Sequence, residues 1–153
     1  MLTFNSVQAS TTGSTIISNR ISGNDRYSTS NALSERFTSA DTVIIASGED
    51  FPDALCPSPL SKQYNAPILL STSTGLTKET LAEIVRLKAI KAIIVEGTGV
   101  ISLALDTQLT SARVTPTRIG GKDRYETSLL VALTIEISRR FNTTFCLFLF
   151  YNF

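Results

Sequence analysis

The sequence predicts an α/β fold of three layers, in which a mostly parallel sheet carries helices on both faces, as in Rossmann-like and Toprim-like units. Two observations support this. Runs at 42–46, 67–71 and 92–95 are short and mostly apolar, as expected of strands that a parallel sheet buries on both faces. Segments with helical periodicity separate these runs, which is typical of α/β architecture. We therefore expect the three strands to be parallel and adjacent.

The first half of the chain contains two predicted helices. One covers 25–37, ahead of the first strand. The other begins near Pro52, because proline suits the first turn of a helix, and runs towards Tyr64. Pro57 and Pro59 fall inside this second helix, so we expect them to bend or interrupt it.

The second half contains three further predicted helices. Thr77 is the expected N-cap of the first of them. Its inner face carries the apolar side chains Leu81, Ile84, Val85 and Leu87. The other two helices are predicted over 101–109 and 123–140, with a short strand beginning at 113–114 between them.

Composition excludes several classes of function. The 153 residues are 42% hydrophobic and 18% charged, so we expect a globular domain and not a disordered chain. The net charge is +1, whereas a general nucleic-acid or membrane-surface binder would carry a basic excess. We predict neither nucleic acid nor membrane as a partner. The chain has no histidine, which removes the commonest general base and metal ligand.

One motif occurs twice. The stretch RISGNDRYSTS at 20–30 recurs as RIGGKDRYETS at 118–128, 98 residues later, with eight of eleven positions identical. A repeat of this length is a whole domain and not a solenoid unit. We therefore divide the chain into residues 1–17, the tail of a signal peptide with a linker, residues 18–117, a complete repeat, and residues 118–153, the truncated start of a second.

The assignment of the N-terminal part depends on Val7 and Ala9, small residues at the two positions that a signal peptidase requires. An ordinary N-terminal segment explains these residues equally well. The apolar run at 145–151 is far shorter than the roughly 20 residues of a membrane span.

Several motifs together resemble the cell wall binding repeat 2 family of Gram-positive bacteria. They are RISGNDRY at 20–27, ADTVIIASGEDFPDAL at 40–55, APILL at 66–70 and GTGVIS at 97–102. The resemblance covers about residues 18–140. Glu96 stands where the family has another glycine, and we expect it to stiffen that turn. After residue 144 the second copy departs from the family, which indicates a truncated or frame-shifted gene.

The resemblance implies a wall-attachment module and not an enzyme. It implies non-covalent binding of an anionic wall polymer, such as teichoic acid or a similar glycopolymer. It also implies a secreted protein of the cell wall or S-layer, with three tandem copies around a threefold or pseudo-threefold axis. The partners would then be the polymer and further copies of the repeat.

The two Asp-Arg-Tyr segments are the strongest candidates for polymer binding. Arginine presents a fork of donors that suits phosphate or carboxylate, and an adjacent tyrosine can stack on a sugar. The candidate residues are Arg20, Arg26, Tyr27, Arg118, Arg124 and Tyr125. A structural hypothesis is equally well supported: Asp25 and Asp123 would cap their helices, and the arginines would pair with acids across the contact between repeats.

An α/β enzyme is the alternative class of function. Glu49, Asp50 and Asp53 follow the first strand, where open α/β sheets place ligands, and they could handle a metal or a phosphate. The helix dipole, at ~0.3–1 kcal/mol per charge, explains acids at this place as well. Without a cofactor fingerprint, we predict no catalytic residue, no metal and no cofactor. A third possibility is a structural repeat that makes only subunit contacts.

Overall fold

The computed structural model describes residues 20–49, 56–96 and 99–140. Within these residues helices and strands alternate along the chain. The helices are α1 (Arg26–Ser34), α2 (Ser58–Tyr64), α3 (Lys78–Arg86), α4 (Ala104–Ser111) and α5 (Arg124–Arg140). The strands are β1 (Thr42–Ser47), β2 (Ile68–Ser71), β3 (Lys91–Val95) and β4 (Thr115–Ile119).

The four strands form one parallel sheet in the order β2-β1-β3-β4. In it, Ile44 of β1 lies opposite Ile68 on one side and Ile93 on the other. The three strands that the sequence predicts are therefore parallel and adjacent, which confirms that prediction. From β1 the chain crosses to β2 on one side and then to β3 on the other, so the strand order reverses between β1 and β3. Sheets of this kind bind ligands beyond the carboxyl ends of the strands, at such a reversal.

Apolar side chains form separate cores on the two faces of the sheet. On one face Ile45 of β1 packs with Ile84 of α3 and Leu105 of α4, all fully buried. On the other face the neighbouring strand residue, Ile44, packs with Leu60 of α2. Successive residues of a strand point to opposite faces, so each strand contributes to both cores. Helices therefore cover both faces, and the predicted three-layer α/β fold is confirmed.

Helix α5 covers part of the second face. Its Val131 is 3% exposed and lies in the core around Ile44, and Ile135 packs against the same core. The predicted helix over 123–140 is thus confirmed. Strand β4 runs across the predicted boundary between residues 117 and 118, so the first two residues of the second motif copy belong to the sheet of the first unit.

Helix α1 covers the open edge of β2. The backbone N–H of Leu70 donates to Ser30 Oγ at 3.3 Å, and Asn31 Nδ2 donates to Thr80 Oγ1 of α3 at 3.3 Å. The Ser34 hydroxyl donates to a carboxylate oxygen of Glu83, also on α3. These contacts occupy an edge that could otherwise pair with another chain.

Two predicted helices begin or end elsewhere. Helix α1 ends at Ser34 and does not reach residue 37. Helix α2 begins at Ser58, with Pro57 at its N-cap and Pro59 in its first turn. In the described residues these prolines stand at the start of a helix, where the missing N–H would have no partner in any case, and the interruption of a longer helix at them stays a prediction. The part predicted from Pro52 up to residue 55 lies outside the described residues.

Helix α3 begins as predicted, with Thr77 Oγ1 accepting from the backbone N–H of Thr80 at 3.1 Å. Ile84 and Leu87 are fully buried, but Val85 is 60% exposed. The prediction for Val85 is wrong, because successive helix residues differ by about 100° around the axis. Helix α4 begins three residues later than predicted.

Candidate functional site

The two copies of the motif fold into the same N-terminal cap, one at α1 and one at α5. Asp25 Oδ1 accepts from the backbone N–H of Ser28 at 2.7 Å, and Asp123 Oδ1 accepts from that of Glu126 at 2.8 Å. The bond from the Ser28 N–H is the main reason that the pKa of Asp25 lies below its usual value, because it stabilises the charged carboxylate. Both aspartates are caps, as the structural hypothesis predicts.

A second contact tightens each cap. The Gly23 N–H donates to Thr29 Oγ1 at 3.0 Å, and the Gly121 N–H donates to Thr127 Oγ1 at 2.9 Å. A Cβ on Gly121 would lie 2.5 Å from the Cβ of Glu126, so only glycine fits there. The N–H groups of Gly23 and Gly121 are used within the protein and are not free to bind an anion.

The first-copy residues Arg26 and Tyr27 hold the turn after β1. Arg26 Nη1 donates to the backbone carbonyl of Gly48, 22 residues along the chain. The ring of Tyr27 lies so close that a Cβ on Gly48 would be 2.6 Å from Tyr27 Cε1. Gly48 is buried, so this pair supports the carboxyl end of the central strand.

The second-copy residue Arg118 is held by α4 and the residues just before it. Its Nε donates to both carboxylate oxygens of Asp106, and its Nη1 and Nη2 donate to the carbonyls of Ile101 and Ser102 at 3.0 and 2.9 Å. Every nitrogen of the guanidinium therefore has an acceptor within the protein.

A cleft of about 580 Å³ opens at the carboxyl ends of β3 and β4. Its lining residues are Glu96, Gly99, Arg118, Gly120, Gly121, Lys122 and Glu126. A smaller cavity of about 120 Å³ shares part of this lining and extends it to Arg124. The second motif copy thus forms one wall of the cleft, and the loop after β3 contributes to the other.

Backbone N–H groups engage the carboxylates of this cleft. Glu96 is almost fully buried, and its Oε1 accepts from the Ser47 N–H at 3.1 Å. Glu126 Oε2 accepts from the Lys122 N–H at 2.7 Å. The cationic side chains are used differently. Arg86 pairs with Glu83 and Arg118 pairs with Asp106, whereas Lys122 and Arg124 form no ion pair with another described side chain.

The six predicted polymer-binding residues therefore occupy different environments. Arg26 and Tyr27 support the β1 turn, Arg118 is paired with Asp106, and Arg124 lines the cleft. The remaining two are on the surface: Arg20 is exposed, and Tyr125 is 79% exposed. The structure does not assemble all six into one site.

Sequence reasoning missed Lys122 and Asp106. Lys122 could have been singled out, because it stands where the first motif copy has Asn24. Asp106 could not, because an acid in the first turn of a helix has an ordinary local explanation.

The carboxylates of the enzyme hypothesis are only partly described. Glu49 Oε1 accepts from the backbone N–H and the hydroxyl of Ser73 at 2.9 and 3.1 Å, so it bridges the ends of β1 and β2. Asp50 and Asp53 lie outside the described residues. Among those that are described, no three Cys, Asp or Glu side chains lie close enough to share a metal ion. Nor does any helix of this part combine the length and apolar character of a membrane span.

Comparison with known families and structures gives consistent matches. The model of the family "Cell wall binding domain 2 (CWB2)" matches residues 20–106. Among solved structures, Cwp6 from Clostridium difficile is similar with a TM-score of 0.72 and 33% identity, over 90% of this chain and 23% of that one. Cwp8 from the same organism gives a TM-score of 0.68 and 34% identity, over 74% of this chain and 20% of that one.

Two curated proteins of Bacillus subtilis are also similar. The N-acetylmuramoyl-L-alanine amidase LytC is 34% identical over 114 residues, which are 74% of this chain and 23% of LytC. The amidase enhancer is 33% identical over 117 residues, which are 76% of this chain and 16% of that protein. The chain therefore spans less than a quarter of the length of these relatives.

Proposed function

This chain belongs to the cell wall binding domain 2 family, and from that premise we propose that it binds an anionic wall polymer in the cleft at the carboxyl ends of β3 and β4. The family and the similar cell wall proteins assign the chain to the cell wall and to attachment there. In our proposal Lys122 and Arg124 neutralise charges of the polymer, and the exposed Arg20 and Tyr125 offer secondary contacts.

The observation that carries the proposal is the unequal use of charges around the cleft. Backbone donors engage Glu96 and Glu126, whereas Lys122 and Arg124 make no ion pair with another described residue. A cleft with two available cations favours a ligand that repeats negative charges, because each charge-assisted hydrogen bond contributes about 1.5–3 kcal/mol. Phosphate or carboxylate groups of a teichoic-acid-like glycopolymer have this chemistry.

Arg26, Tyr27 and Arg118 have a different place in the proposal. Each contacts the protein itself, at Gly48 or at Asp106. We propose that Arg26 and Tyr27 stabilise the turn after β1, that Arg118 stabilises the contact between β4 and α4, and that none of the three contacts the polymer.

The proposal extends to the parent protein. We propose that it is secreted and that further copies of this unit surround a threefold or pseudo-threefold axis, as the family resemblance implies. We propose no catalytic activity for the unit itself. The name of LytC describes an amidase, but the matching region is 23% of that protein, so its activity does not carry over.

The proposal is tested by retention on purified walls, before and after their anionic polymers are stripped. We expect Lys122→Ala and Arg124→Ala each to weaken retention about 10-fold or more, as the loss of a charge-assisted bond implies. Lys78→Ala is the matched control, because it removes the same charge from an exposed position on α3, across the sheet. Retention should also fall with added salt, which screens such contacts over ~8 Å at physiological ionic strength.

Equal retention on native and stripped walls would contradict an anionic polymer as the ligand. Retention that depends on the polymer but is unchanged in both cleft variants would place the site elsewhere on the protein. Melting temperatures of the same samples separate a lost contact from a lost fold.

A further inference from the structure

Helices α1 and α5 carry the same motif and the same cap, yet they bury opposite faces. In α5, Val131 is 3% exposed and packs on the sheet. The equivalent residue of α1, 98 positions earlier, is Leu33, and it is 46% exposed. The face that α5 uses to pack on a sheet is therefore an outward face in α1.

The reverse holds for the other face. In α1 this face contacts the β2 edge, α3 and the turn after β1: Ser30 accepts from Leu70, Asn31 donates to Thr80, and Tyr27 packs on Gly48. The equivalent residues of α5 are Tyr125, Ser128 and Leu129. All three are exposed, Tyr125 at 79% and Leu129 at 59%.

We propose that this outer face of α5, formed by the exposed residues Tyr125, Ser128, Leu129 and Ala132, docks on the β2 edge and α3 of a second cell wall binding unit. Both interfaces of such a shared helix are present in this chain. Helix α5 shows how the helix packs on the sheet of the preceding unit, and α1 shows how it packs on the β2 edge of the following unit. A single helix would then belong to two successive units and fix their relative orientation. The inference rests on the proposed partnership with further copies of the unit, and it does not depend on the polymer.

The geometry also specifies the occupant. In this chain α1 already covers the β2 edge through Ser30, so a second copy of the chain offers no vacant edge. The partner must be a unit whose edge is open, that is, one that takes its first helix from the preceding unit. Its edge would offer an N–H to Ser128, as Leu70 does to Ser30, and a glycine turn to Tyr125.

Docking would also affect the cleft. Arg26 completes the α1 contact by donating to the carbonyl of Gly48. Its equivalent, Arg124, would meet the corresponding carbonyl of the docked unit, so Arg124 and Tyr125 contact the polymer only in a chain to which no further unit is docked, such as the chain of the retention test. Lys122 would then be the cation that stays in the cleft, so the Lys122 variant reports on the polymer and not on docking.

The experiment compares the present chain with a two-unit chain, in which Thr134 is joined to a second copy of residues 37–153. This junction keeps the 98-residue period, so α5 takes the place of α1 for the added unit. A thiol is placed at Leu129 of the first helix in both chains, with Cys56 and Cys146 replaced by alanine. At protein concentrations low enough to keep the present chain monomeric, we expect Leu129→Cys to be labelled at least ~10-fold more slowly in the two-unit chain, because docking would bury this position.

Leu33→Cys is the matched control, because it lies on the opposite face of α1 and neither of the two tested chains places a unit before it; its labelling should not change. Amide hydrogen exchange of the added strands reports whether the second sheet has formed. A protected second sheet with Leu129→Cys still labelled rapidly would overturn the inference. So would an unprotected second sheet, since α5 would then fail to supply its first helix. No wall polymer is present, so neither outcome bears on polymer binding.

Discussion

Arg118 of β4 and Asp106 of α4 form an ion pair in which Nε lies 3.2 and 3.1 Å from the two carboxylate oxygens. The pair is largely shielded, with side chains 17% and 25% exposed. Arg118 is the first residue of the second motif copy, yet its hydrogen bonds and its ion pair are with Ile101, Ser102 and Asp106, which precede that copy. The arginine that begins one motif therefore stabilises the preceding unit.

Arg118→Ala should lower the free energy of unfolding by about 2–3 kcal/mol, because it leaves Asp106 and two carbonyls without their donor. Urea denaturation measures this directly. Arg36→Ala is a suitable control, since Arg36 is exposed and should change stability little. Equal stability of the two variants would show that the ion pair contributes nothing measurable.

Arg26→Ala and Arg26→Lys should both lower the melting temperature, because each loses the bond to the Gly48 carbonyl. The free energy of unfolding should fall by about 1–2 kcal/mol for Arg26→Ala. It should fall by less for Arg26→Lys, because the ammonium group keeps a donor but not the planar fork of the guanidinium. The part of each variant that remains folded should be retained on purified walls as well as the unsubstituted chain is. A normal melting temperature with reduced retention would instead return Arg26 to the polymer site.

Acid should weaken the contact between α1 and α3. The bond from Arg86, and next that from the Ser34 hydroxyl, holds the pKa of Glu83 below its usual 4.5. A carboxyl with a lowered pKa in the folded state contributes stability above its unfolded pKa and loses it as the pH falls through the folded pKa. We expect Glu83→Gln to be less stable at pH ~7, by about 0.2–1 kcal/mol, and to lose less stability below pH ~4.5.

The control for this prediction is Glu79→Gln, on the same helix and exposed. Its stability between pH ~7 and ~3 should follow that of the unchanged chain. If Glu83→Gln and the unchanged chain lost stability in parallel on acidification, the contact would not be the cause.

The purified chain should self-associate, because α5 exposes Leu129 and Leu133 at 59% and 47% beside Tyr125. Clustered apolar surface of this kind is a common site of association. Replacing Leu129 and Leu133 by glutamate should shift the chain towards monomer in analytical ultracentrifugation while leaving its melting temperature nearly unchanged. A monomer at high concentration before any substitution would contradict the prediction.

Local patterns predicted most of the fold. The runs at 42–46 and 92–95 are mostly apolar, so they fit strands that are buried on both faces of a sheet. Strands of this kind are typical of parallel sheets, which helices cover on both sides. Thr77 as a cap also follows from residues within one turn. The prediction for Val85 is wrong because the apolar pattern near the end of α3 does not define which residue faces the core.

The candidate site was less predictable. Arg20, Arg26 and Tyr27 recur with the same spacing 98 residues later, so the sequence shows that the motif is repeated. It does not show what the arginines bind, because a guanidinium offers the same donors to a polymer and to a backbone carbonyl. Only the partner distinguishes the two, and Gly48 is 22 residues from Arg26.

By itself, then, the sequence determined the α/β class, the repeat and its 98-residue period, because these depend on residues close together in the chain or on identity between segments. The tertiary structure alone decided that Arg118 pairs with Asp106, that Lys122 and Arg124 share a cleft, and that α1 and α5 bury opposite faces. Packing distant segments against one another determines which donors are used within the fold and which remain available. No local pattern contains that information, since each contact also depends on the position of the rest of the sheet.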